Sequence, residues 1–415
     1  MQTSRTHRGK RPGREGRPFH HGRRGQPSRA PFRARGQGGQ RGRKRFLSER
    51  IDVSRYINKA VITEAVEHFV PEHRFADFAI DARLKAAIAK KGYTEPTPIQ
   101  DRTISHILRR EDVVGIANTG TGKTAAFLVP LIDKILKHKD ERVLVMVPTR
   151  ELAQQIEGEL RGFAAGLSVH GVVCVGGVGI GAQMAGLRRR PHFVIGTPGR
   201  LKDLLERKAL SLADFRTAVL DEADRMLDMG FVHDMRKILS LLPSPRHTLF
   251  FAATFSREIE KLVGEFLRTP VRVSVKTQET AASIEQDVVR IPPGKQKLDV
   301  LYDLLIQPAF NKVLVFGRTK WGVEKLAKAL VAKGIRAESI HGNKTQGRRQ
   351  RALDLFKRDH VQVLVATDVA ARGLDIVGVS HVINFDLPAS HEDYIHRVGR
   401  TGRAGKRGTA LTFID

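Results

Sequence analysis

The segment Ala117-Asn118-Thr119-Gly120-Thr121-Gly122-Lys123-Thr124 constrains this chain more than any other, because it follows a short β-branched run (112–116) and opens a helical pattern. A glycine-rich turn between strand and helix lets backbone N–H groups point inward, and the helix N-terminus adds partial positive charge. This is the setting of a phosphate-binding loop. The backbone of Thr119, Gly120, Thr121 and Gly122 can cradle a nucleotide's phosphates, Lys123 can reach the β- and γ-phosphates, and the Thr124 hydroxyl can hold Mg²⁺. The general pattern has Gly where this chain has Ala117, so on that template alone a structural glycine turn stays open.

A second acidic element narrows the choice. Asp221-Glu222-Ala223-Asp224 ends the apolar run 218–220. Alone, such a cluster reads as a solvated loop. After a parallel strand it faces the same edge as a phosphate loop. There Asp221 can hold Mg²⁺ through water, and Glu222 can orient and deprotonate the attacking water, the two tasks ATP hydrolysis needs.

From about residue 75 the pattern strand, loop, helix repeats, which predicts an α/β chain with parallel sheets covered by helices on both faces. Strands are expected at 112–116, 143–147, 192–195, 218–220 and 248–251, then at 312–316, 361–365, 381–385 and 409–413, with a helix over 150–163. A polar stretch at 276–286 reads as a linker. The expectation is two similar domains in tandem, 75–275 and 287–415, after a leader at 46–74 to which no role is assigned.

The net charge of +28 points to a polyanionic partner, either nucleic acid or an acidic membrane surface. Residues 1–45 hold thirteen Arg and two Lys against one Glu, half of that excess. Their Arg, Gly, Gln, Pro and Ser composition predicts a disordered tail. Repeated Arg-Gly steps resemble RGG-type RNA-binding tails, with a merely solubilising tail as the alternative. No apolar run approaches the ~18 residues of a membrane span, so no membrane partner is expected. The single Cys174 excludes an internal disulfide, fits a reducing compartment and lies in an apolar run that predicts a buried core thiol. No Cys/His cluster has zinc-ligand spacing. The N-terminus lacks an apolar signal-peptide core. A cytoplasmic protein is expected, with a transit segment as the alternative.

These elements together resemble the DEAD-box family of ATP-dependent RNA helicases in superfamily 2, over essentially all of 75–415. The resemblance implies two tandem RecA-like domains, an ATP-binding one and a C-terminal one. Gly92-Tyr93-Thr94-Glu95-Pro96-Thr97-Pro98-Ile99-Gln100 looks like the family's Q motif, in which Gln100 would read the adenine edge. Phe75, with Phe78 as runner-up, would stack on the ring; Phe75 as plain core and Gln100 as a helix-start residue stay open. Pro148-Thr149-Arg150-Glu151-Leu152, Gly176-Gly177 and Thr197-Pro198-Gly199-Arg200 match stretches that contact the RNA backbone. In the second domain the matching stretches are Phe316-Gly317-Arg318-Thr319, Gln346 with Arg349, Ala366-Thr367-Asp368 through Arg372-Gly373-Leu374-Asp375, and His396-Arg397-Val398-Gly399-Arg400-Thr401-Gly402-Arg403. By resemblance Arg318, Gln346, Arg349 and Thr367 face RNA, and Gly373 and Asp375 face the nucleotide. Arg400 and Arg403 match arginine fingers that stabilise charge on the transferring phosphoryl group. Asp224, Thr254 and His396 are implied to couple the two sites.

The implied partners are RNA, bound with little sequence preference, ATP, and ribonucleoprotein components. Lys123 and Glu222 lie on one domain and Arg400 and Arg403 on the other, so neither half is a competent catalyst alone. ATP and RNA, each bound across both, would favour one closed form. Two positions depart from the family: Asn118 replaces Gln, and Ala252-Ala253-Thr254 replaces Ser-Ala-Thr, removing a hydroxyl. The second departure keeps another expectation open, an ATP-gated RNA clamp or annealing chaperone with weak unwinding.

Overall fold

Runs such as Val143–Met146 and Val363–Ala366 are apolar at every position, because β-branched residues favour extended backbone and a sheet covered on both faces buries both side-chain directions. The computed structural model describes residues 69–118, 120–275, 284–371, 376, 378–402 and 408–414. It contains two wholly parallel sheets within one compact unit.

The first sheet has seven strands: β1 (Val113–Ala117), β2 (Val143–Met146), β3 (Gly171–Cys174), β4 (Phe193–Gly196), β5 (Thr217–Leu220), β6 (His247–Ala252) and β7 (Val271–Val275), in the order β3-β4-β2-β5-β6-β1-β7. The second has six: β8 (Ile284–Arg290), β9 (Val313–Phe316), β10 (Ala337–Ile340), β11 (Val363–Ala366), β12 (His381–Asn384) and β13 (Gly408–Ile414), in the order β10-β11-β9-β12-β13-β8. Apart from β7, the second order repeats the first. Each sheet lies between two apolar clusters, one per face.

All nine expected strand regions are strands, and the expected helix is Arg150–Phe163. The four strands outside those regions, β3, β7, β8 and β10, are the edges of the two sheets. The linker expected at 276–286 overruns into β8. Ile284 and Gln286 point inward in an alternating pattern, and the Gln286 side chain accepts a hydrogen bond from Tyr394 at 2.8 Å. Cys174 is buried, and burial pushes its thiol up to about 12, so it is an inert core group. The tail at 1–45, leader residues 46–68 and linker residues 276–283 lie outside the described residues.

Candidate active site

The helix Lys123–Lys137 follows the glycine-rich segment after β1, and its N-cap is Gly122 with φ +89°. Glycine is needed there twice over: the backbone is left-handed, and a Cβ would meet Gln100 Nε2 at 2.3 Å. The Lys123 ammonium folds back and donates to the Ala117 carbonyl at 2.9 Å. The Q-motif stretch holds the loop from the other side. Thr97 Oγ1 donates to the Thr121 carbonyl at 2.7 Å, and Gln100 Nε2 donates to the Gly122 carbonyl at 2.9 Å, while Gln100 Oε1 accepts from Thr97 N. Gln100 is buried and keeps one further N–H and one further lone pair. Phe75 is in the core, edge-on to Tyr93 and Phe78 at 5.8 and 6.1 Å.

β5 delivers the acidic pair. The Asp221 N–H donates to the Met146 carbonyl, continuing the ladder, and Glu222 turns into the left-handed region at φ +52°, ψ +49° to start the next helix. A non-glycine residue held there is strained, and the fold overcomes that strain at this strand end. Burial pushes the Asp221 carboxyl up to about 6, against the opposing pull of Lys123. Burial also opposes ionisation of Glu222, but the positive field of Arg225, Lys123 and Arg400 outweighs it and holds that carboxyl below its usual range. Arg225 pairs directly with Glu222 inside the protein.

Gly120, Gly122, Lys123, Thr124, Asp221 and Glu222 line one cleft of about 430 Å³. Thr124 and Asp221 bring a hydroxyl and a carboxylate to it, an oxygen pair that suits Mg²⁺, which keeps several waters and is completed by phosphates. Among the described residues no group of three or more His, Cys, Asp and Glu could hold a metal by itself.

Asp224 faces β6 instead. Its Oδ2 accepts from Ala253 N, Thr254 N and Thr254 Oγ1 at 2.9, 2.8 and 3.1 Å. Ala253 and Thr254 then join Asn118 and, from the second lobe, His396, Gly399 and Arg400 in lining a pocket of about 120 Å³. Arg400 is 4% exposed and its Nε donates to the His396 carbonyl.

The expected RNA-contacting residues gather at the C-terminal ends of β2, β3 and β4. Pro148 follows β2 and precedes Thr149, which caps the helix Arg150–Phe163 by accepting from Leu152 N; Thr197 is the N-cap of the helix Pro198–Glu206, with Pro198 and Gly199 in its first turn. These helix starts present free N–H groups to an anion. The Arg150 guanidinium lies over Gly176 and Gly177; a Cβ at Gly177 (φ +71°) would meet its Nη1 at 1.8 Å. Arg200 reaches the Val178 carbonyl at 3.4 Å. In the second lobe, Arg318 follows β9 and Thr367 follows β11 at the corresponding edge. Gln346 and Arg349 instead reach across the cleft to Glu151, at 3.2 and 2.8 Å, with all three buried.

Four residues matter that the sequence reading gave no role. Glu151 joins the lobes, and Arg225 pairs with Glu222. Arg397 is clamped by both oxygens of Asp368 at 2.6 and 2.8 Å and by the Asp386 carbonyl, and Asp386 also accepts from Arg318 N at 2.7 Å. Glu151 and Arg397 sit inside quoted motif stretches, so their place was marked; Arg225 and Asp386 carried no signal. Thr119, Gly373, Asp375 and Arg403 lie outside the described residues.

Comparison with known proteins agrees along the chain. The DEAD/DEAH box helicase family matches residues 97–262, and the helicase conserved C-terminal domain matches residues 296–405. The DEAD-box ATP-dependent RNA helicase CshA of Bacillus licheniformis is 46% identical over 342 residues, 82% of this chain and 70% of that protein. The ATP-dependent RNA helicase CshA of Listeria monocytogenes is 46% identical over 344 residues, covering 82% of this chain but 66% of its own length. Among solved structures, the DEAD-box helicase Mss116 bound to ssRNA and UDP-BeF superposes with a TM-score of 0.75 at 31% identity over 83% of this chain and 76% of that one. S. cerevisiae Dbp5 bound to RNA and ADP BeF3 gives 0.72 at 27% identity over 82% and 89%. Matched by both family models across its two parallel-sheet lobes and 46% identical to a curated relative over most of its length, this chain belongs to the DEAD/DEAH box helicase family.

Proposed function

We propose that this chain is an RNA-dependent ATPase that uses ATP hydrolysis and lobe closure to open RNA duplexes locally. The observation that carries this reading is Arg400, which is buried on the second lobe and lines one pocket with Asn118, Ala253 and Thr254 of the first. The similar proteins are named ATP-dependent RNA helicases, and the similar structures hold RNA with nucleotide analogues.

In this reading the backbone of Gly120, Thr121 and Gly122 and the Lys123 ammonium bind the phosphates. Gln100 uses its remaining donor and acceptor on adenine while its other bonds hold the loop. Thr124 and Asp221 would hold Mg²⁺, which neutralises phosphate charge when bound. Glu222 positions and deprotonates water, and Arg400 stabilises charge that develops on the γ-phosphoryl group. The helix starts at Thr149 and Thr197, with Arg150, Arg200, Arg318 and Thr367, take the RNA backbone, which explains a lack of sequence preference. Gln346 and Arg349 serve RNA binding through the lobe contact at Glu151. Asp224 links the acidic loop to Thr254 and so to the pocket holding His396. A strand following this closed edge cannot keep regular A-form pairing. The division at 75–275 and 287–415, and action in the cytoplasm, belong to the same proposal; no helix among the described residues is long and apolar enough to cross a membrane.

A strand-displacement assay on a short RNA duplex tests it: displacement is expected with ATP and lost in Glu222→Gln. ATP-gated retention or annealing of RNA without displacement favours a clamp or annealing protein, a reading supported by Ala252, which is buried at the end of β6 and leaves that position without a hydroxyl.

A further inference from the structure

The sole tryptophan of the chain, Trp321, is 82% exposed. Tryptophan brings a large apolar surface that proteins usually cover, so a ring left this open is informative in a way an exposed leucine is not. It stands in the first turn of the helix Lys320–Ala332, whose N-cap Thr319 accepts from Gly322 N at 3.0 Å and fixes the turn. Three residues separate β9 from that helix, beside the ends of β11 and β10, where Gly317 N donates to the Ala366 carbonyl and Thr367 N to the Ile340 carbonyl. The ring is therefore carried on the same strand-end edge as Arg318 and Thr367. Lys320 lies across the β10 end, over Gly342, and Lys325 is one turn further along the helix. Arg318, Lys320 and Lys325 are all exposed, and no carboxylate among the described residues forms an ion pair with them.

The geometry points to Trp321 as a stacking platform for an unpaired RNA base, set where the strand leaves the backbone-binding edge of the second lobe. This rests on the RNA reading above and extends it: the edge itself holds phosphates and sugars, whereas an exposed indole flanked by cations offers a base its face and the backbone its countercharge. Every base has a π-face, so the contact adds affinity without strong sequence preference, and favours purines over uracil by stacking strength. It also holds single strands better than duplexes, whose bases are already stacked.

Because the chain has no other tryptophan, its indole emission reports this position alone. The test titrates the full chain, with a non-hydrolysable ATP analogue present, with a short fluorescein-labelled oligouridylate or oligoadenylate. RNA binding is followed by anisotropy and Trp321 by emission. The expected result is quenching in step with binding, stronger for oligoadenylate and absent for a strand of the same length lacking bases. Trp321→Ala should bind oligoadenylate about 5- to 100-fold more weakly, with Trp321→Phe near wild type and turnover at saturating RNA retained. RNA binding with unchanged emission, or equal affinity in Trp321→Ala, overturns the platform while leaving the ATPase reading intact, and points to a protein partner for this surface. Absence of any RNA binding by wild type overturns both.

Discussion

The two sheets share one strand order and put different chemistry at the same places. β1 lies beside β6 as β8 lies beside β13, and each is followed by a glycine-containing turn and a helix. After β1 the turn is Asn118-Thr119-Gly120-Thr121-Gly122, with N–H groups throughout; after β8 it is Ile291-Pro292-Pro293-Gly294-Lys295-Gln296, where two prolines remove the donors a phosphate requires. β5 is followed by Asp221 and Glu222, which line the cleft, whereas its counterpart β12 is followed by Asp386, which is occupied with Arg318 and Arg397 of its own lobe. On the proposed reading, a repeated frame with one nucleotide cradle and one set of structural anchors leaves the second lobe free to supply cations, and the site is complete only where the lobes meet.

The largest effect should come from separating the two turns. Lys123→Ala is expected to lower RNA-stimulated phosphate release by about 10³-fold, whereas Lys295→Ala in the counterpart turn changes it by less than about twofold. Comparable losses would mean that the turns are not functionally distinct.

The starts of the corresponding strands differ in acid response. His247 begins β6 and is held down to about 4 by burial, with its Nε2 against the Glu111 carbonyl at 2.8 Å; β13 begins with Gly408, which does not titrate. The unfolded imidazole protonates near its ordinary 6.5, so the contribution of His247 is full above that pH. It is lost as pH falls toward 4, at a cost of about 3 kcal/mol. Thermal midpoints of wild type and His247→Gln from pH 7 to 4 check this, and hydrogen exchange should show the first lobe loosening. Parallel curves for the two proteins would contradict the assignment.

A smaller effect is expected where the lobes touch. Arg349→Ala leaves Glu151 buried with the Gln346 amide but no cation only in the closed arrangement, so it weakens closure and not the fold of either lobe. RNA stimulation should fall about tenfold, with nucleotide binding in the absence of RNA preserved. The smallest belongs to Ala252→Ser, which returns a hydroxyl at the end of β6: ATP turnover should change by less than about threefold, while strand displacement per ATP rises.

Interior strands and edge strands explain what could be read without coordinates. β2, β4, β5, β9 and β11 are buried at every residue and stand out as apolar runs, while β7 and β8 expose alternate residues and blend into polar surroundings. The shared cleft of Lys123, Asp221 and Glu222 was legible for a similar reason, since a strand end and a helix start confine them locally. The contact of Gln346 and Arg349 with Glu151 was not, because it depends on how residues almost two hundred positions apart in the chain meet. Phe75 was ambiguous for a third reason: an aromatic that stacks on a base and one that fills a core look alike in sequence.

The composite site is tested most directly by single-turnover phosphate release from Arg400→Ala with saturating polyuridylate. ATP should still bind, through the first lobe's own loop, while turnover falls by about 10³-fold. Release at the wild-type rate would contradict the account, because the phosphate loop and acidic pair would then be sufficient without the second lobe.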